Sequence, residues 1–211
     1  GQSELNNDYD ILIFACRDIE IARIPYSIKR IASFAFMESR IKSIYIAPQV
    51  KRICEHAFSS CKQLEHIEIP QDSQLEVIEK YAFYDSAIEK ISIPPHVTKI
   101  CEKAFHSCKK LQIVEIRNDS LLEIIENEAF SSSLISYIFI PTQVKIISYR
   151  TFYDCKNLQH IQFSSDSKLT TIRSEAFFFS SIENIFIPSH VTTICSSAFY
   201  QCNNLQNIEI P

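Results

Sequence analysis

The sequence is almost without glycine: Gly1 is the single glycine among 211 residues. It therefore has no glycine-rich phosphate loop, and it also lacks the G-x-S-x-G motif of serine hydrolases and the H-E-x-x-H motif of zinc proteases. These absences remove the nucleotide-binding, nucleophile and metalloenzyme patterns that can be recognised in a sequence. We expect no enzyme activity and no cofactor.

Runs of like charge and long apolar runs are missing as well. The net charge is −4 and no cluster of Lys or Arg occurs, so a nucleic-acid partner or an acidic membrane surface is not favoured. No apolar run approaches the roughly 18 residues of a membrane span, and the first ten residues are polar and acidic, unlike a signal peptide. Membrane attachment is expected only through segments outside this chain.

What the sequence does contain is a repeat, typified by ICEKAFHSC at residues 100–108. Its Ala-Phe dipeptide ends on an anchor phenylalanine, and successive anchors are alternately 22 and 25 residues apart. The anchors are Phe36, Phe58, Phe83, Phe105, Phe130, Phe152, Phe177 and Phe199. Such a period indicates a solenoid, in which each turn buries its apolar face against its neighbours.

Each turn also carries a short strand pattern. The frame L/I-x-x-I-x-I-P, as in residues 64–70, 88–94 and 182–188, alternates apolar residues with period two and closes on proline. A second apolar contact follows, such as Val97 with Ile100, and the next triplet suits one helical turn. We expect an α/β repeat solenoid with one parallel sheet of about nine short strands and short helical or irregular turns on the opposite face.

The two ends of the chain differ from the middle. Residues 1–18 are expected to form a polar leader and a degenerate N-terminal cap, in which Phe14 lies 22 residues before Phe36 in the anchor column. Residues 19–211 form the solenoid. Because Pro211 directly follows a strand pattern, we expect a fragment of a longer repeat array.

Eight cysteines leave a disulfide, a zinc site and buried thiols as alternatives. Three pairs lie seven residues apart: Cys54 with Cys61, Cys101 with Cys108, and Cys195 with Cys202. The partner position of Cys155 is Ser148, and the C-x₂₋₄-C pattern of zinc sites is absent. Serine also alternates with cysteine three residues after the anchor, so compact buried side chains with free thiols are the favoured interpretation.

The frame L-x-x-I-x-I-P-x-x-V-x-x-I-x-x-x-A-F-x-x-C resembles the BspA-like branch of the leucine-rich repeats from about residue 19 to 211. The resemblance implies a right-handed parallel solenoid from a cell-surface or secreted protein involved in adhesion. That family often has glycine after the second-contact isoleucine, where this chain has other residues, such as Ala32 and Glu79. Any left-handed turn is therefore expected to use Asn, Asp or Ser.

The outward positions of the strands supply the candidate binding residues. Alternation predicts that Tyr45, Tyr137, Phe139, His160 and Phe186 face outwards, the last four on three successive strands. Aromatic residues also favour strands whichever way they face, so the alternative is that β-propensity alone accounts for these positions. The sharper hypothesis is a surface for a partner protein, either a host or extracellular protein or another cell-surface copy. A structural spacer and an intracellular interaction scaffold are the other hypotheses.

Asn118-Asp119-Ser120 is the one N-x-S/T sequon and a possible glycosylation site. Asp-Ser recurs at residues 72–73 and 166–167 in the longer turns. Both residue types bond locally to the backbone, so these pairs are expected to stabilise turns rather than to hold a metal or act as catalytic carboxylates.

Overall fold

The computed structural model describes residues 10–12, 15 and 17–210, and these form a stack of similar turns joined by parallel β-strands. In chain order the strands are β1 (Ile11–Leu12), β2 (Ile21–Arg23), β3 (Arg30–Ile31), β4 (Ser43–Tyr45), β5 (Arg52–Ile53), β6 (His66–Glu68), β7 (Val77–Ile78), β8 (Lys90–Ile93), β9 (Lys99–Ile100), β10 (Ile113–Ile116), β11 (Ile124–Ile125), β12 (Tyr137–Ile140), β13 (Ile146–Ile147), β14 (His160–Phe163), β15 (Thr171–Ile172), β16 (Asn184–Phe186), β17 (Thr193–Ile194) and β18 (Asn207–Glu209). Residues 1–9, Ile13, Phe14, Cys16 and Pro211 lie outside the described residues. The predicted polar leader and the predicted place of Phe14 in the anchor column fall on them.

The even-numbered strands are the nine strands that the sequence predicts, and they form one row along the stack. Hydrogen-bonded neighbours run in the orders β2-β4-β6, β14-β12-β10-β8 and β16-β18, all parallel. Equivalent residues pair across neighbouring turns, for example Ile91 with Val114. The repeat phase inferred from the anchor phenylalanines is therefore confirmed.

The odd-numbered strands form a second row, so the expectation of one sheet was wrong. They run in the orders β1-β3-β5-β7-β9-β11 and β13-β15-β17. Each has only two residues, and from β3 to β15 the second is the buried isoleucine of the V-x-x-I or L-x-x-I contact, such as Ile100. A strand of two residues is too short to show the alternation of apolar and polar residues from which strands are predicted. They become strands because the turn on either side supplies carbonyl and N–H partners.

The expected helical turns on the remaining side are also corrected, since the described residues contain no helix. The Phe105 N–H donates to the carbonyl of Ala129 in the next turn at 2.8 Å, whereas the Ala104 N–H donates to Cys101 within its own turn at 3.2 Å. Alternate N–H groups thus bond along the stack and inside the turn. A helix would direct every N–H along its own axis and leave the neighbouring turn unpaired.

Two residues in each of the eight anchor-containing turns have a left-handed backbone, two positions before and two positions after the anchor phenylalanine. Their φ angles lie between 52° and 63°. They are Phe34, Glu38, His56, Ser60, Tyr81, Asp85, Lys103, Ser107, Glu128, Ser132, Arg150, Asp154, Glu175, Phe179, Ser197 and Gln201. The expectation that only Asn, Asp or Ser would serve was wrong. A left-handed residue with a Cβ costs about 1 to 2 kcal/mol, and bonds to the next turn offset that cost.

Substitutions of Ser107 test this backbone strain. Ser107 has φ 59° and donates its N–H to the Ser131 carbonyl at 2.9 Å. Ser107→Gly should raise the free energy of unfolding by about 0.5 to 1 kcal/mol, because glycine has no Cβ to clash. Ser107→Val should lower it by more than about 1 kcal/mol. Urea melts measure both, and equal stabilities of the two variants would contradict the left-handed assignment.

The anchor phenylalanines form a continuous stack through the core. Adjacent rings from Phe36 to Phe199 lie with centroids 4.9 to 5.8 Å apart and planes within 13° of parallel. From Phe58 to Phe177 the anchors are fully buried. Every turn therefore depends on the turns above and below it for its largest apolar contact.

A buried column of alternating serine and cysteine follows the phenylalanine stack. The hydroxyl oxygen of Ser86 lies 3.5 Å from the Cys108 sulfur, and the Cys108 thiol donates to the Phe83 carbonyl at 3.0 Å. Three further couples repeat these contacts, at Ser39 with Cys61, Ser133 with Cys155, and Ser180 with Cys202. The predicted role of these cysteines as small buried side chains is confirmed, and the seven cysteines in the described part of the chain are free.

Candidate functional site

The outward side of the even-numbered strands, which we call the strand face, was the predicted binding surface. In β14, His160 and Gln162 are exposed while Ile161 between them is buried. Tyr137 pairs with His160 and Phe139 with Gln162 in the register of β12 and β14. Two of the predicted residues, Tyr137 and His160, therefore lie side by side.

Tyr137 is held in place by its neighbour. Its hydroxyl donates to Gln162 Oε1 at 2.8 Å across the two strands. Partial burial of the side chain raises the pKa of Tyr137 above its ordinary value, so the hydroxyl is a neutral hydrogen-bonding group near neutral pH. Even so, 41% of Tyr137 is exposed, and Phe186 on β16 is 55% exposed. Both present aromatic surface to solvent.

Phe139 differs from the prediction, because only 7% of it is exposed and it packs with the hydrophobic core cluster. It lines a cavity of about 320 Å³ on the strand face, together with Tyr137 and Gln162. Alternation along β12 gives the direction of a side chain but not how closely its neighbours surround it. Phe139 is therefore a buried residue and not an exposed anchor.

Tyr45 is separated from the other candidates. It belongs to β4, which lies four strands from β12 in the row, or about 19 Å at normal strand spacing. The guanidinium of Arg23 lies 4.6 Å from its ring centroid. A hydrogen bond with Tyr26 and then burial raise the pKa of Tyr45. Tyr45 thus belongs to a local Arg-Tyr group rather than to the surface around Tyr137.

Asn118 lies in the turn after β10 with its side chain exposed, as expected for the sequon. The Arg117 guanidinium donates to both carboxylate oxygens of Asp119 at 2.9 and 3.0 Å. The Ser120 hydroxyl accepts the Leu122 N–H at 3.2 Å. The serines at positions 73 and 167 accept N–H groups in the same way, so the turn-forming role predicted for these serines is confirmed.

Sequence reasoning missed an aromatic cluster on the anchor side of the stack, which we call the turn-edge cluster: Tyr153, Phe178, Phe179 and Tyr200. Tyr153 stacks on Phe178 at 5.2 Å and Phe178 meets Phe179 edge-on at 4.6 Å. Tyr200 is 55% exposed and Phe179 is 39% exposed. The run FFFS at residues 177–180 was the available signal, since only its first phenylalanine is needed as an anchor.

The described residues offer no group of three or more metal-ligating side chains. They also include no helix with the length and apolar character required to cross a bilayer. Charged side chains are mostly paired with the adjacent turn, for example Lys90 with Glu115 and Arg52 with Glu79. Exposed large apolar side chains lie on the strand face, in the turn-edge cluster and in the odd-numbered row, where Ile124 is 46% and Ile194 is 41% exposed.

A family model described as the BspA type leucine-rich repeat region matches residues 12–112 and 123–211, in six copies. No curated protein matches the sequence.

Among solved structures, a leucine-rich repeat protein from Bacteroides ovatus is 28% identical with a TM-score of 0.77, over 92% of this chain and 55% of that one. The pneumococcal vaccine antigen PcpA is 20% identical with a TM-score of 0.71, over 97% of this chain and 64% of its own. A Treponema pallidum leucine-rich repeat protein is 20% identical with a TM-score of 0.52, over 99% and 78%. The chain thus spans less than two thirds of the first two proteins, and the similarities below 25% identity concern the fold.

Proposed function

The chain belongs to the BspA-type leucine-rich repeat family, and from this membership we propose that it is a non-catalytic adhesion or protein-binding module of a cell-surface or secreted protein. Its partner is a host or extracellular protein, or another copy on a cell surface. The proposal places the partner on the strand face. No catalytic group, cofactor or nucleic acid takes part.

The observation that carries this proposal is the exposure of Phe186 on β16, with the exposed His160 on the adjacent strand β14. A phenylalanine that is 55% exposed leaves apolar area in water with no role in the core. A few aromatic anchors typically dominate protein interfaces. Strand β14 pairs with β12 and strand β16 pairs with β18, so His160 and Phe186 each stand on hydrogen-bonded backbone, which lowers the entropy lost on binding.

Two other roles compete with this one. As a structural spacer the segment would bind nothing and would only set a distance in a longer surface protein. As an intracellular scaffold it would use the same face in another compartment. The turn-edge cluster is a second possible contact surface, because Tyr200 is as exposed as Phe186.

The double substitution His160→Ser with Phe186→Ser tests the strand face. Both side chains are exposed, so the thermal melt should stay almost unchanged. Binding of the labelled protein to cultured host cells, or self-association in sedimentation velocity, should weaken by about tenfold or more, which is on the order of 1.4 kcal/mol.

Tyr200→Ser is the matched control, since it removes an equally exposed aromatic residue from the other side of the stack. Loss of binding in the control alone would move the interface to the turn-edge cluster. Unchanged binding in both variants would favour the spacer, and unfolding of the double variant would show that the strand-face residues are packed.

Asn118 supports a separate proposal about the compartment. If the chain is made in a eukaryotic secretory pathway, we expect Asn118 to carry an N-linked glycan, because its side chain is exposed in a turn. Intact mass before and after enzymatic glycan removal measures it. An unmodified Asn118 on protein purified from a native cell surface would contradict this proposal.

A further inference from the structure

The cavity on the strand face lies where the row of strands opens. Strands β8 and β10 pair through four residue pairs, and so do β12 and β14. Between β10 and β12 the pairing is reduced to Ile113 with Tyr137. The cavity of about 320 Å³ occupies this opening and is lined by the segment from Gln112 to Ile116 on one side. Its size is at the lower end of the range of small-molecule sites.

The lining combines aromatic rings with planar polar groups. Tyr137 provides the exposed aromatic surface, the largely buried Phe139 adds little area, and Asn118 and Gln162 carry side-chain amides that can both donate and accept hydrogen bonds. Tyr137 donates to Gln162 Oε1, which leaves the NH₂ group of Gln162 as a donor to a ligand. A hydrogen-bonded tyrosine ring and the amide of Gln162 that it orients therefore meet at one opening.

The cavity is close to electrically neutral. Glu115 is the one carboxylate in its lining, and no Lys or Arg lines it. Lys90 and the Ser92 hydroxyl bind the Glu115 carboxylate, and these contacts hold the pKa of Glu115 below its ordinary value. The negative charge is thus already balanced by Lys90. A charged ligand gains little here, whereas a neutral one meets many hydrogen-bonding groups.

We infer that this cavity binds a neutral pyranose unit of a saccharide. A pyranose has an apolar C–H face that can pack on the aromatic ring of Tyr137 and a rim of hydroxyls that can bond to the amide of Gln162 and, where it carries no glycan, to that of Asn118. The unit could belong to a free sugar, to a polysaccharide or to a glycan on a partner protein. This inference is independent of the protein-binding proposal, since neither His160 nor Phe186 lines the cavity.

Saturation-transfer-difference NMR on the bacterially expressed chain, in which Asn118 carries no glycan, tests the inference. The probes are the methyl glycosides of glucose, galactose, mannose and N-acetylglucosamine at millimolar concentration. At least one should receive magnetisation on its ring protons. Gln162→Ala and Tyr137→Ala should each raise the dissociation constant about tenfold, because each removes a side chain that lines the cavity.

Tyr200→Ala is the control, because it removes an exposed aromatic residue from the other side of the stack and should leave the dissociation constant unchanged. Absence of transfer to all four glycosides would overturn the inference. Transfer that survives both Gln162→Ala and Tyr137→Ala would overturn it equally.

A second measurement identifies the source of the sugar. Binding to fetuin is compared before and after enzymatic removal of its N-glycans, and binding to a neutral polysaccharide such as dextran is measured in parallel. If removal of the N-glycans abolishes binding to fetuin, the sugar belongs to a glycoprotein. Binding to dextran points to a polysaccharide. Transfer to a free glycoside without either points to a free sugar.

Discussion

Replacement of Phe105 by alanine should lower the free energy of unfolding by about 3 to 5 kcal/mol, the range for fully buried phenylalanines. Its ring is completely buried and stacks on Phe83 and Phe130, each at 5.2 Å. The cavity left by the substitution would therefore border both neighbouring turns. Urea or thermal melts followed by circular dichroism measure the loss.

Phe186→Ala is the control for this prediction, because the same side chain is deleted from a position that is 55% exposed. It should change stability by less than about 1 kcal/mol. If Phe105→Ala shifts the melt by no more than Phe186→Ala does, the anchor stack does not carry the core and the repeat phase is wrong.

Alkaline pH should destabilise the protein through its buried thiols. Burial raises the pKa of Cys108 and of Cys155 to about 12, since a thiolate loses its hydration inside the core. Above the ordinary thiol pKa the unfolded chain releases these protons while the folded chain keeps them. Stability is thus fully present below about pH 9 and falls by roughly 1.4 kcal/mol per pH unit for each thiol until about pH 12. Urea melts from pH 7 to 11 measure this slope.

The double variant Cys108→Ser with Cys155→Ser provides the control. Serine occupies the same column in alternate turns, at Ser86 and Ser133, and does not titrate in this range. The variant should lose roughly 3 kcal/mol per pH unit less than the parent above pH 9. Identical slopes would refute the burial of the thiols as free groups. Intact mass after alkylation under denaturing, non-reducing conditions first establishes that the cysteines are not bridged.

Both proposals about binding use the strand face, but they use different residues. The protein-binding proposal rests on His160 and Phe186, whereas the saccharide proposal rests on Tyr137 and Gln162. Substitutions in one pair leave the other pair intact, so each proposal can fail without the other. A glycoprotein partner is the case in which both would hold.

The sequence alone determined the repeat, its alternating turns of 22 and 25 residues and the nine strands of the even-numbered row. It also determined the core: Phe105 and Cys108 are buried as their recurrence predicts. These features could be predicted because they depend on the period of apolar residues, which is a property of the chain itself.

Only the tertiary structure decided the second row of strands, the left-handed residues and the surroundings of Phe139. The two-residue strand at Lys99–Ile100 and the positive φ of Tyr81 depend on hydrogen bonds to residues 21 to 25 positions away, in the neighbouring turns. Local propensity contains no information about those partners. It favours glycine at left-handed positions and predicted a short helical turn on the anchor side of the stack. Phe139 is only 7% exposed and belongs to the buried core cluster, because how closely neighbouring side chains cover an outward position is set by packing between turns.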